Sequence, residues 1–362
     1  MRILARYVSE VFIKNFLMAL LGLTLIYLFQ AVMGMLFDNQ FPLHQILIYK
    51  AMELPEIMVQ VCAPAVLVST VLCLGGLNRS NELTACYSIG IGFRQIVVIL
   101  LSLIFMISCL TLATQDRVLP MLFKRKTTYY WHDMKKRTDF VLDLRQDKIW
   151  YRSKNLIYNL RTFDPANRTI HGMVIYTFDD DFRLAEVTEA KSATYNDANW
   201  KLMDGTVTVF TGSEGFPLTK KFEQKELVIG ETPKDFQEIE KEVGGLRLKE
   251  LYRYIQRTRE NGIDAHSYEV RFHSRISQSF VPIVMCFLAL PFSTRNRREG
   301  GAGAGKDVVI CLGFSFLYLL FQSIGLSLGE NGALPPLVSA WLPSVIFLGL
   351  AVALITYRRK TA

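Results

Sequence analysis

The chain has 362 residues, of which 51% are apolar and 20% charged, with a formal net charge of +8 and six cysteines. The apolar residues are gathered into long runs, which excludes an ordinary soluble protein. Lys and Arg collect beside those runs with no basic-aromatic recognition motif, which excludes nucleic acid as a partner.

Six stretches carry no charged side chain: residues 15–37, 57–78, 95–115, 276–294, 308–329 and 331–357. Each is about 19 to 27 residues long, enough for a helix to cross a hydrocarbon core of about 30 Å. The first stretch exceeds the roughly 7–15 residues of a signal-peptide core and is followed by no small-residue cleavage site, so it is expected to stay as a membrane anchor. The loop after it contains Leu43, Ile46 and Leu47 and predicts a short interfacial helix ending before Pro55. Pro64, Pro282 and Pro343 fall in or near spans, where they read as structural kinks.

The loop at 78–92 follows the second span. There Ser80 or Asn81 is placed to cap a short helix, Glu82 suits its positive end, and Gly90 stops it. From the residues alone it is either a capped turn or a helix lying across the mouth of two spans, placed to receive force from a partner. The expected division is residues 1–116 as three spans, 117–245 as a β domain, 246–266 as an amphipathic connecting helix, and 267–362 as three further spans.

Within the β insert, residues 149–151, 156–160, 173–178 and 206–210 are short runs rich in β-branched and aromatic residues. Turn signals separate them at Asp164-Pro165 and Asp179-Asp180, which predicts a sandwich or jelly roll. The connecting helix should present Leu248, Leu251, Tyr252 and Ile255 on one face and stop at Gly262. Arg271 and Arg275 open the fourth span, while Lys124, Arg125 and Lys126 follow the third. Both sets are candidates for the headgroup of an anionic lipid, or else are solvated surface charges.

Orientation follows the cations. With the N-terminus in the cytosol, Arg2, Arg6, Lys14, Arg79, Arg94, Arg295, Arg297, Arg298, Lys306, Arg358, Arg359 and Lys360 lie inside, against Lys50 alone in the short outside loops. Both termini are therefore expected in the cytosol and the β domain outside. The insert holds no cysteine, and His132, His171 and His266 are isolated, so no metal site is expected.

Two chemistries are disfavoured. Residues 300–306 match half of a phosphate-binding loop, but Asp307 stands where a Ser or Thr should hold magnesium, and the run sits between two spans as a linker. The spans have no row of Asp, Glu or His for a proton or ion path. No hydrolase elbow or metalloprotease pair occurs.

Taken together, several segments resemble the lipopolysaccharide-export permease family LptF/LptG. They are Leu4-Ala5-Arg6-Tyr7, the run from Arg79 through Ala85 with Ser88-Ile89-Gly90, Trp200-Lys201-Leu202-Met203-Asp204-Gly205, and Leu251 through Ala265 running into Tyr268 through Arg275, followed by Leu290-Pro291-Phe292. The segment 149–151 and Leu334-Pro335-Pro336 look G-like; a Lys in the first span of some G members is absent, with Gln30 and Ala31 near its place. The resemblance implies an α-helical membrane protein of six spans (3+3) with an inserted all-β periplasmic jellyroll-like domain, in the bacterial inner membrane. It implies a paired LptF/LptG-type permease, an LptB-type ATPase dimer and an LptC-type bitopic protein as partners, and lipopolysaccharide as cargo. Arg79, Asn81, Glu82, Leu83 and Ala85 would then form the ATPase-coupling segment. This chain would bind no cofactor and catalyse nothing itself; ATP and Mg would be used by the partner. A membrane-anchored scaffold, or an exporter of another lipid or of a lipoprotein, stays open as an alternative.

Overall fold

The computed structural model describes residues 2–37, 41–134, 141–143, 149–153, 156–164, 169–179, 183–196, 199–210, 216–227, 245–260, 265–293 and 302–361. Its helices are α1 (Arg2–Phe37), α2 (Leu43–Arg79), α3 (Glu82–Ser88), α4 (Phe93–Ala113), α5 (Leu119–Tyr129), α6 (Leu248–Glu260), α7 (His266–Ser293), α8 (Ala302–Glu330) and α9 (Pro336–Thr361). A π turn (Thr114–Val118) joins α4 to α5, and a second (Tyr130–Met134) follows α5. The strands are β1 (Val141–Asp143), β2 (Ile149–Ser153), β3 (Leu156–Asp164), β4 (Thr169–Phe178), β5 (Leu184–Asn196), β6 (Asn199–Val209) and β7 (Leu218–Leu227). The chain divides into two units, Met1–Leu119 with His266–Ala362, and Pro120–Ala265.

Among the described residues, six helices are long and apolar enough to cross a membrane: Ile3–Phe37, Leu43–Arg79, Phe93–Tyr129, His266–Phe292, Val308–Glu330 and Pro336–Tyr357. They build two apolar cores that meet at α2 and α7. On one side Val8 and Phe12 of α1, Val66, Cys73 and Leu74 of α2, Ile96 and Leu100 of α4, and Cys286 and Leu290 of α7 pack together. On the other, Leu67 and Val71 of α2 and Met285 and Leu288 of α7 meet Cys311 and Tyr318 of α8 and Phe347 of α9. The most apolar stretch of α2 is accordingly 67% buried, and that of α1 only 11%. Helix α1 thus offers most of its surface to lipid or to another helix.

Three sequence expectations change here. Residues 43–56 are not a separate interfacial helix; α2 runs unbroken through Pro55 and Pro64. Each proline frees one carbonyl, and apolar burial along the rest of the helix outweighs that loss. The glycine run is not simply a linker, since α8 already starts at Ala302 and takes in Gly303, Gly305 and Lys306. Each glycine costs about 1 kcal/mol relative to alanine, and the alanines between them add no further penalty. The third span continues past residue 115 through the π turn into α5, so Lys124, Arg125 and Lys126 lie on a helix of the second unit.

The second unit holds one antiparallel sheet with its seven strands in chain order, β1 to β7. Its core is Tyr158, Leu160, Ile170, Met173, Ile175, Ala190, Ala193, Trp200 and Leu202, with Tyr195 set edge-on to Trp200 at 5.2 Å. Pairing skips one row, where Gly172 and Asp204 have φ of 66° and 51° and Lys191 lies between them. Two buried positions three apart flank that row on each strand (Ile170 and Met173, Ala190 and Ala193), so the inward face changes parity there. The sheet folds over at this row. Lys225 pairs through Leu202 with Ala193, which is seven residues from Glu186, roughly 23 Å along a flat strand. Yet Lys225 Nζ donates to Glu186 Oε1 at 2.5 Å, so two distant parts of the sheet face each other.

On α6 Leu251 and Ile255 are buried as expected, but Tyr252 is exposed. The apolar stripe is narrower than the sequence suggests, because Thr258 takes the next buried position. The predicted stop at Gly262 lies outside the described residues.

Candidate functional site: the α3 turn and the arginine pair on α7

Helix α2 ends at residues that cannot continue it. The Ser80 hydroxyl donates back to the carbonyls of Gly76 (3.2 Å) and Leu77 (3.4 Å), and Asn81 then turns left-handed at φ 57°. Asparagine is among the few residues that adopt this conformation readily. Neither side chain caps α3, contrary to the sequence expectation; Asn81 is left-handed rather than extended as a capping residue would be, and the Ser80 hydroxyl is committed to α2. The Asn81 carbonyl nonetheless accepts the first helical bond, from the Ala85 N–H at 3.0 Å. At the other end Gly90 has φ 82°. Its N–H donates to Tyr87 (3.0 Å), and the Ile91 N–H to Cys86 (2.9 Å), the paired bonds of a Schellman stop.

This turn is held from one side only. Leu83 is buried and belongs to the apolar cluster that also holds Val8 and Phe12 of α1, Leu74 and Leu77 of α2, and Ile96 and Leu100 of α4. Glu82 is paired with the Tyr7 hydroxyl of α1. Arg79, Asn81 and Ala85 face outward. So do Tyr87 and Ile89, the latter 73% exposed, which sequence reasoning did not single out. Their signal was two large apolar side chains at the end of a polar loop, hidden because a neighbouring span explains any apolar residue.

At the opposite end of α4, more than about 30 Å along the helix, lies the second cluster. Arg271 and Arg275 are one turn apart on α7 and share a face. Arg271 Nε sits 3.6 Å from Glu330 Oε1 at the last residue of α8. Arg275 interacts with Asp116 of the π turn and with Arg271. Next to Asp116, the buried Gln115 donates from Nε2 to Ser279 Oγ of α7 at 3.3 Å. Gly329, next to Glu330, lies so close to Ser339 and Val270 that a Cβ there would collide with both side chains. Lys124, Arg125 and Lys126 belong to the other unit, where Lys126 stands over the Phe123 ring at 5.6 Å.

The β unit has a hollow of about 710 Å³ along the fold row, lined by Asn159, Glu189, Lys191, Asp204, Lys221 and Glu223 among others. Its charges are of both signs and include an exposed Lys191–Asp204 pair at 3.9 Å, so it has no concentrated field for an ion. On the inner face, burial pushes the Glu186 carboxyl up, but hydrogen bonds from Lys225 and Thr188 and the charge of Lys225 together bring it below its ordinary value.

Comparison with known proteins supplies the context. The sequence model of the family described as lipopolysaccharide export system permease LptF/LptG matches residues 6–357. The lipopolysaccharide export system permease protein LptG of Haemophilus influenzae is 24% identical over 349 residues, covering 95% of this chain and 94% of the relative. The protein of the same description from Escherichia coli K12 is 24% identical over 316 residues, covering 85% and 84%.

Proposed function

The chain belongs to the lipopolysaccharide export permease family LptF/LptG, and on that premise we propose that it is the G-type subunit of an exporter that lifts lipopolysaccharide from the outer leaflet of the inner membrane, powered by an ATPase in another chain. It is a multi-pass inner-membrane permease, and the relatives it matches over most of its length are G-type. The finer reading has termini and the α3 turn in the cytosol and the β unit in the periplasm, as the distribution of Lys and Arg favours.

The observation that carries the mechanism is the two-sidedness of α3. A seven-residue helix with Leu83 buried in the apolar cluster of the spans, Ala85 and Ser88 exposed on its outer face and Ile89 bare at its end, would transmit a push to the spans. An LptB-type ATPase dimer would dock there, use ATP and Mg, and move α1, α2 and α4 together. Arg79, Asn81 and Ala85 would meet the ATPase; Glu82, tied to Tyr7, would hold the turn to α1. A paired F-type permease would cover the exposed face of α1. The spans, uncharged through their middle, suit a cavity for acyl chains rather than an ion path. The cations at Arg271 and Arg275, with Lys124, Arg125 and Lys126, would engage the lipid's phosphates. An LptC-type bitopic protein would receive the lipid from the β unit. The chain itself would hold no cofactor and catalyse no step.

Purification in mild detergent, with mass spectrometry of what accompanies the chain, tests this reading. An ATPase, a second permease and a glycolipid are expected. Recovery of neither an ATPase nor a glycolipid would leave a membrane-anchored scaffold as the better account, and a different bound lipid would change the cargo.

A further inference from the structure

The hollow along the fold row of the β unit is built by strand register. Asn159 of β3, Val174 of β4, Glu189 of β5, Thr206 of β6 and Lys221 of β7 are successive partners across the sheet, so their side chains share one face. Lys191, Asp204 and Glu223 stand two residues along from Glu189, Thr206 and Lys221, and all of these line the hollow. Its volume of about 710 Å³ is that of a small-ligand site. Asn159 lies between the core residues Tyr158 and Leu160, so it points away from that core. It is nonetheless only 2% exposed, and its Nδ2 has no hydrogen-bond partner. A buried donor without an acceptor is costly, and folded proteins keep few of them.

We propose that this hollow binds a saccharide, the sugar portion of a glycolipid cargo. The inference rests on the reading that the cargo is a glycolipid, and adds where its sugars rest. The lining charges select the class. Glu189, Asp204 and Glu223 accept hydrogen bonds, Lys191 and Lys221 donate them, and Thr206 does both. A sugar hydroxyl donates one bond and accepts others, so it finds both kinds of partner here. An anion would face three carboxylates, and a cation two ammonium groups. An apolar chain would strip water from all five charges without replacing its hydrogen bonds. A neutral ring of hydroxyls meets none of these obstacles. Asn159 marks the buried end of the row, where a ligand oxygen would draw the unused amide donor into the hollow.

The test uses the full chain with whatever subunits accompany it, in phosphatidylcholine nanodiscs. These are doped equally with rough lipopolysaccharide and with a deep-rough form that lacks most of the core sugars. Native mass spectrometry reads the retained lipid. The native protein should retain the rough form at least about fivefold over the deep-rough form. Thr206→Trp fills the hollow from a half-buried position, and Asn159→Leu removes the donor at similar size. Each should bring the ratio to about twofold or less at an unchanged thermal midpoint. If Asn159→Leu lowers the midpoint, its amide is structural and Thr206→Trp alone decides. A folded Thr206→Trp protein that keeps the native ratio overturns the saccharide site. Equal retention of both forms by the native protein also overturns it and leaves the glycolipid reading intact, whereas retention of neither form sinks that reading itself. Core oligosaccharide freed of its acyl chains should give saturation-transfer NMR signals with the native protein that vanish with Thr206→Trp. Inorganic phosphate at the same concentration should leave those signals unchanged; their loss would assign the hollow to an anion and overturn the proposal.

Discussion

Replacing Leu83 by Ala separates anchoring from docking at the α3 turn. Leu83 is 3% exposed and lies in the apolar cluster shared by α1, α2, α4 and α7. Removing three buried carbons from such a site costs the transfer free energy plus a cavity term, about 3 kcal/mol within a range of roughly 2–5. That cost falls on the contact between the turn and the spans, while the exposed Ile89, beyond the end of α3, is untouched. The ATPase should therefore still bind within about threefold, but lipid-stimulated ATP turnover and lipid release should fall by about tenfold or more. Ile89→Asp should do the reverse. With 73% of Ile89 already exposed, folding should change by under about 0.5 kcal/mol. Docking should weaken at least tenfold, the equivalent of about 1.4 kcal/mol for losing an apolar anchor at an interface. Assembly is read by co-purification and coupling by turnover in proteoliposomes with and without lipid. If Leu83→Ala left coupled turnover intact, or Ile89→Asp left assembly intact, the two-sided account of α3 would be refuted.

Three further outcomes follow from local geometry. Gly329→Leu must push Ser339 and Val270 apart, an overpacking cost of about 1–3 kcal/mol, so the thermal midpoint in detergent should drop, and an unchanged midpoint would mean that α8 and α9 are not packed this closely. Tyr318→Phe loses the hydrogen bond with Ser344 of α9 (2.9 Å), worth about 0.6 kcal/mol between membrane helices, and one within α8 to Gln322 (3.2 Å); a small drop in midpoint should result, with no change in ATPase assembly. Glu186 has its carboxyl lowered on folding, so its stabilising contribution is present above the unfolded value of about 4.3 and is lost as pH falls through the lower folded value. Proteolysis of the full chain should show the β unit opening between about pH 5 and pH 3. Glu186→Gln should open more readily at pH 7 and flatten that dependence, and an equal pH dependence in both proteins would remove Glu186 as its cause.

The spans were plain in the sequence because bilayer thickness sets a length no soluble helix of that composition needs. Strands β2, β3, β4 and β6 were legible through β-branched and aromatic runs, but β5 and β7 were not. Strand β7 reads Leu-Thr-Lys-Lys-Phe-Glu-Gln-Lys-Glu-Leu, and most of it stays exposed at the sheet edge, so burial leaves no alternation to find. The fold row was hidden for another reason. Asp204 at φ 51° looks like any surface aspartate, and only pairing with Gly172 and Lys191 across neighbouring strands turns it into a corner. In the α3 turn, the glycine stop and the short helix were readable because both are local. The cap was misread because Ser80 had two possible carbonyl partners behind it and took them. Glu330 and Asp116 were invisible as partners of Arg271 and Arg275, since long-range packing at Gly329 and Gln115 brings them there.

The two candidate regions are joined by α7. Its first turns carry Arg271 and Arg275, and its last turns carry Cys286 and Leu290, which share a buried cluster with Leu83. A helix of 28 residues spans about 42 Å, and this one lies between the two apolar cores of its unit. Movement of α3 against that cluster therefore cannot stay local without opening a cavity under Leu83, which costs more than tilting a packed helix by a small angle. At the far end, the arginines are balanced against carboxylates on α8 and the π turn, contacts that are weak singly and shift with small changes in distance. On the proposed function, a stiff element gripped at the α3 end would carry a push from a partner along the membrane unit to the ion pair at its other end, a mechanical link rather than a charged relay.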